Sequence, residues 1–242
     1  MDWMAIWLTL RLAACATVIL CLLGLPVAHW LATSTWRWRF LIEATVALPL
    51  VLPPTVLGFY LLLAMGPHSP LGQYYAALTG HLLPFSFQGL LIASVLYSFP
   101  FAVQPFAAAF ASVDHDLVHV SWSLGVSRLS TFFRVVLPLS RVGLLTGVVL
   151  SFAHTVGEFG VVLMVGGNIP GVTRTVSIAI YDEVQALNYA AASETALFLL
   201  VFSFGVLALT YGMQRRVWGG GSRTVPQAVR RHEGAVDAPQ LQ

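Results

Sequence analysis

Apolar residues in this chain come in long blocks, not in the alternating or one-faced patterns of soluble elements. No Asp, Glu, Lys or Arg occurs from Leu12 to Trp36, from Ala44 to Val113, or from Thr195 to Gln214. Another block, Val142 to Thr173, is interrupted only by Glu158. A helix needs about 20 apolar residues to cross roughly 30 Å of hydrocarbon. The block from Ala44 to Val113 is too long for one crossing, and turn formers gather in it at Gly66-Pro67-His68-Ser69-Pro70 and near His81 and Pro84. It therefore holds two spans with a polar loop between them. The pattern predicts five membrane-spanning helices, about Leu12–Leu31, Leu41–Ala64, Phe87–Ala111, Val142–Gly166 and Ala191–Met213. The less apolar segment Pro170–Tyr189 carries Asp182 and Glu183. It is expected outside the membrane as a short interfacial helix, with a sixth crossing there as the competing topology.

Composition agrees with an all-α integral membrane bundle. The 242 residues are 57% hydrophobic and only 9% charged, whereas a soluble domain carries roughly 25% charged residues to solvate its surface. All twelve basic residues are arginine. The lack of lysine excludes a P-loop nucleotidase and Schiff-base chemistry through a lysine side chain. A net charge of +2 is too small to imply a nucleic-acid partner. Cys15 and Cys21 point to different helix faces, so neither a disulfide nor a metal site follows from them. Both read as packing residues. No cleavable signal peptide is expected, because Asp2 replaces the usual basic start.

Arginine placement orients the bundle. With five spans, Arg37 and Arg39, then Arg128, Arg134 and Arg141, then Arg215, Arg216, Arg223, Arg230 and Arg231 all fall on one side. Positive loops stay in the cytoplasm, which predicts an outer N-terminus and an inner C-terminus. The domain division is a membrane domain over 1–216, with an inner loop over about 112–141, and a disordered cytoplasmic tail over 217–242. Trp3, Trp7, Trp36, Trp38 and Trp218 lie near span ends, as interfacial aromatics do.

Two spans carry more than an anchor needs. Pro49, Pro53 and Pro54 crowd span two, and Pro100 and Pro105 lie in span three beside Ser98 and Gln104. Proline removes a donor and bends the helix, and in lipid the freed carbonyls need protein or water partners. Tolerated kinks in a packed bundle are one reading; helices lining a pathway are the preferred one. Thr45, Thr55, Ser98, Gln104, Ser151 and Thr155 are candidate polar lining residues, although each could instead bond its own helix backbone. His154 and Glu158, four residues apart in span four, are expected on one helical face. An intramembrane ionisable group is a functional candidate; a mutually satisfied structural pair is the reading preferred here.

The inner loop predicts a helix-turn-helix. Asp114 or Asp116 can cap a short helix with Leu117, Val120, Ser121 and Leu124 along one side, and Gly125 can end it. Ser127 can cap a second helix, which is expected to stop near Pro138. With only Arg128 and Arg134, and tethered at both ends, the motif suits a partner protein's groove better than a DNA groove.

Here the chain resembles the permease subunits of ATP-binding-cassette importers. His119-Val120-Ser121 stands where that family has Glu-Ala-Ala, Gly125 stands on the family glycine, and Val135-Val136-Leu137-Pro138 matches its closing Leu-Pro. Two further runs resemble the molybdate branch of the sulfate, molybdate and tungstate permeases. One is Leu48 to Tyr60; the other is Gly157-Glu158-Phe159-Gly160 with Gly166 to Thr175 and Ile178 to Asp182. The resemblance covers about residues 5–216 and implies a type I importer permease bundle. It implies that the loop residues His119, Val120, Ser121, Leu124, Gly125, Ser127, Arg128 and Pro138 plug into a separate ATPase subunit that holds ATP and magnesium. It further implies a homodimer, an oxyanion-binding protein at the outer face, no cofactor or metal in this chain, no nucleic-acid partner and no covalent chemistry. A sulfate or tungstate permease, or a stand-alone channel or secondary carrier, are the alternatives.

Overall fold

The computed structural model describes residues 1–219, and every regular element in it is helical. Helix α1 (Trp3–Thr33) starts where the Asp2 carboxylate accepts a hydrogen bond from the Ala5 N–H at 3.0 Å. At 31 residues it extends well beyond the expected first span, and Arg11 lies within it. Helices α2 (Arg39–Val51) and α3 (Pro54–Met65) replace the single kinked span expected over Leu41–Ala64, and they are bent by 110°. Leu52 and Pro53, each followed by a proline, are driven into extended backbone (ψ 134° and 135°), and the chain turns there. The pair nonetheless traverses the bundle. Arg39 of α2 shares a groove with Ala111, the last residue of α5 (Phe87–Ala111), whereas Met65 of α3 packs on Leu83, just before α5 begins. Beside α1, α5 and the apolar helices over Arg128–Gly157 and Tyr189–Gly212, the broken pair counted as one span gives five crossings by length and composition.

Between α3 and α5 a short helix, α4 (Pro70–Thr79), forms where only a loop was expected. Ser69 caps its start, and Gly80 ends it at φ +73°. Helices α6 (His115–Ser123) and α7 (Arg128–Thr131) form the elbow. The helix that begins at Arg128 does not stop at Pro138: a π-helical turn, Phe132–Val136, leads straight into α8 (Leu137–Gly157). The widened turn accommodates Pro138, which has no N–H to bond the preceding turn, so the helix runs on through it. The fourth span also ends earlier than expected. It breaks at Glu158, and α9 (Gly160–Gly166) follows as a separate piece. Helix α10 (Val176–Gln185) occupies the segment weighed as a sixth crossing. Its 10 residues reach only about 15 Å, half of what a crossing needs. Helix α11 (Tyr189–Gly219) is the last span. The rest of the expected tail lies outside the described residues.

Helix α5 is the axis of the bundle. Its Ala102, Val103, Phe106 and Phe110 form the main core with Leu20, Ala28 and Leu31 of α1 and Val136 at the head of α8. Small residues bring α8 close to it: a side-chain carbon on Gly143 or Gly147 would stand 2.5 Å from Ala109 or Phe106. The two ends of the molecule are distinct. Met1 and Asp2 lie against Glu194 and Arg174, at the end that also carries α10 and the start of α11. The opposite end of α1 meets the elbow, where the His29 ring contacts Phe132 at 4.7 Å.

Candidate functional site

The elbow is held by three local devices. The Asp114 carboxylate accepts from the Asp116 N–H at 2.9 Å and starts α6. At its end, Gly125 at φ +78° lets the Gly125 N–H reach the Trp122 carbonyl (2.9 Å) and the Val126 N–H reach the Ser121 carbonyl (3.2 Å), the paired closure of a left-handed cap. Ser127 then accepts from the Ser130 N–H at 3.3 Å and starts α7. Across the turn, the Ser121 and Thr131 hydroxyls bond at 2.9 Å. Ser121 is therefore buried between the two helices and does not share the outer side with Leu117, Val120 and Leu124, as its position in the sequence suggested. Those three are exposed, Leu124 at the tip by 78%. His119 sits edge-on to Trp122, and the Arg128 guanidinium lies over that indole, 5.5 Å from its centroid. Pro138 is exposed on the α8 side, away from the turn. The result is a rigid, outward-facing apolar knob with a polar rim, the shape a partner's groove can grip.

The candidate pathway residues divide in two. Thr45, Thr55 and Gln104 are exposed, with Pro53 beside them, while Pro49 and Pro54 are half-buried. Gln104 shares a groove of about 560 Å³ with Arg39, Glu43 and a run of alanines. Ser98, Ser151 and Thr155 are at most 2% exposed and face no such space. Thr45, Ser151 and Thr155 donate to their own helix backbone, at Leu41, Gly147 and Ser151, the local bonding that short hydroxyl side chains favour.

His154 and Glu158 are not the expected pair. The helix ends at Gly157, and Glu158 enters extended backbone (φ −69°, ψ 139°), which takes it off the face that His154 occupies. His154 Nδ1 instead meets the Ser98 hydroxyl at 2.9 Å, and Ser98 also bonds Thr155 at 3.0 Å. The His154 ring stacks on Phe101 with centroids 3.8 Å apart. Glu158 is 5% exposed. The Ser94 hydroxyl and the Val162 amide face its carboxylate, but neither oxygen completes a hydrogen bond of good geometry.

Two polar clusters escaped the sequence reading. Arg39 and Glu43 form an ion pair of 2.8 Å in the α1–α2–α5 groove; their four-residue spacing was the available signal. At the opposite end Arg174 joins Asn168 (2.6 Å), Asp182 (3.4 Å) and Asp2 (4.0 Å). Only folding brings the last of these near.

Residues 21–219 match the family model described as the binding-protein-dependent transport system inner membrane component. The chain belongs to that family. The permease is thus a multi-pass inner membrane protein. It is 53% identical to the molybdenum transport system permease protein ModB of Azotobacter vinelandii over 88% of this chain and 95% of that one. It is 35% identical to the protein of the same name from Escherichia coli K12 over 76% and 80%. Among solved structures, the permease superimposes on the inward-facing MetNI methionine ABC transporter with a TM-score of 0.70 at 15% identity, covering 88% of this chain and 94% of that one. A bacterial ABC transporter importing the acidic polysaccharide alginate gives 0.68 at 18%, over 88% and 79%. The permease therefore has the fold of ABC importer permeases.

Proposed function

We propose that the permease is the membrane-spanning subunit of an ATP-driven molybdate importer. The identity of 53% to the Azotobacter vinelandii molybdenum permease, over 88% of the chain, carries this reading. Two copies form the conduit, a binding protein delivers the oxyanion at the end where Met1, α10 and Arg174 lie, and an ATPase subunit grips the elbow. ATP and magnesium belong to that ATPase, and this chain does no covalent chemistry. The N-terminus faces outward and the elbow inward. Arg39 and Arg128 share a groove with His115, His119 and Trp122 of the elbow, and Arg134 lies in the π-helical turn beside it, which supports that orientation.

The elbow converts a nucleotide-driven movement into alternating access. A knob pinned by Ser121–Thr131 and seated in a moving partner carries α7 and α8 with it as one helix, because the π-helical turn joins them without a break. Transport follows as a population shift set by the contacts each state makes. Exposed Thr55 and Gln104 offer neutral donors to a dianion, and Glu43 masks Arg39. Shallow sites release an ion that deep wells would hold.

Vesicles containing the permease, its ATPase and its binding protein should accumulate labelled molybdate on addition of ATP, with little competition from sulfate. Equal competition by sulfate would move the substrate to that anion. Accumulation without any ATPase would replace the importer reading with a secondary carrier.

A further inference from the structure

We propose that the permease holds an anionic phospholipid in the groove between the inner third of α1 and the α7–α8 helix. An acyl chain lies along Leu22, Leu25 and Phe133, and the phosphate meets Arg128. The groove has a volume of about 630 Å³ and, apart from Arg128 and His29, is walled by apolar side chains. Leu22 and Phe133 are 68% and 57% exposed there, on a bundle surrounded by lipid.

Depth places the polar groups at the end of the bundle that emerges from the hydrocarbon. The helix Arg128–Gly157 has 30 residues and is about 45 Å long, against a hydrocarbon core of roughly 30 Å. The excess lies at the Arg128 end, because exposed Arg134 and Arg141 follow on the same helix, so Arg128 stands beyond the hydrocarbon edge. His29 lies one turn from the end of α1, and Trp30 and Trp36 contact each other beside it at 6.1 Å, as interfacial aromatics do.

Charge selects the headgroup. Among the described residues, the four ion pairs leave Arg128 without a carboxylate, and its neighbour is the Trp122 ring. His29 also lines the groove, and its Nδ1 atom is buried without a hydrogen-bond partner. No Asp or Glu lines the groove. A phosphate finds a guanidinium there, the pairing that arginine geometry favours. The ammonium of a zwitterionic lipid finds no counter-charge. Basic pockets at helix ends are where acidic lipids bind.

The test is native mass spectrometry of the full-length protein titrated with phosphatidylglycerol or phosphatidylcholine of matched chains. Phosphatidylglycerol should bind at least tenfold more tightly. Arg128→Gln should abolish that preference, Arg128→Lys should keep part of it, and Leu25→Trp should weaken both lipids by filling the groove. Glycerol phosphate, a headgroup without chains, should not compete. Equal binding of the two lipids, a preference that survives Arg128→Gln, or competition by glycerol phosphate would each overturn the proposal. Should the variants fail to fold, the wild-type lipid comparison and the glycerol phosphate competition decide it alone.

Discussion

Ser121 and Thr131 share a buried hydrogen bond of 2.9 Å that closes the elbow across Gly125. Neither hydroxyl is free to meet a partner; together they make α6 and α7 one body. Ser121→Ala leaves the Thr131 hydroxyl buried and unpaired, at a cost of about 1–3 kcal/mol. Replacing both, as in Ser121→Ala with Thr131→Val, removes the orphan and should recover most of the lost stability. Thermal unfolding of the purified permease would show this; a double variant no better than the single one would mean the bond is not what holds the turn.

Gly125 is required for its backbone, not for space. A side-chain carbon there would meet nothing within 4 Å, but φ +78° costs an ordinary residue about 1–2 kcal/mol. Gly125→Asn should therefore retain transport, since asparagine tolerates this conformation, while Gly125→Val should insert normally and lose coupling. Parallel assays of ATP hydrolysis and uptake in reconstituted vesicles would separate the two. Normal uptake by the valine variant would remove Gly125 from the coupling mechanism.

Gly147 is required for space. A side-chain carbon there would stand 2.5 Å and 2.7 Å from two ring carbons of Phe106, itself only 1% exposed. Gly147→Ala should destabilise the α5–α8 contact by about 1–3 kcal/mol through overpacking. Shrinking the ring by Phe106→Leu in the same chain should restore part of that loss, read as recovery of the unfolding temperature. Additive damage from the two changes would show that the clash is not the cause.

Glu158 carries a buried carboxylate whose oxygens lack hydrogen bonds of good geometry. Burying such a group is costly, so the isosteric Glu158→Gln should be at least as stable as the parent and should keep uptake. Complete loss of uptake at normal expression would instead make the carboxylate part of the gate or pathway.

The positions of most spans were legible because crossing a membrane is a demand each segment meets alone: about 20 apolar residues and an internally bonded backbone. Span three, Phe87–Ala111, agrees with the sequence reading to the residue. The elbow was equally legible in its caps, Asp114, Gly125 and Ser127, because capping is local chemistry. The breaks were harder to place. Pro53 and Pro54 announce a disturbance, yet a kink and a bend of 110° begin with the same residues, and packing of α3 against α9 decides between them. Pro138 was misread because a proline signals a helix end unless a widened turn precedes it.

Local pattern thus sufficed for what a segment does with its own backbone and with lipid: where the elbow helices cap, where most of the spans lie, and that the chain resides in a membrane. Partnership was decided by folding. His154 bonds Ser98, fifty-six positions away, because α5 and α8 approach through Gly143 and Gly147, while Glu158 leaves the face it was expected to share. Ser121 turns inward to Thr131 and leaves Leu124 at the tip. A side chain's periodicity names the face it can occupy; only the arrival of a neighbouring helix determines whether that face meets protein, lipid or a passing ion.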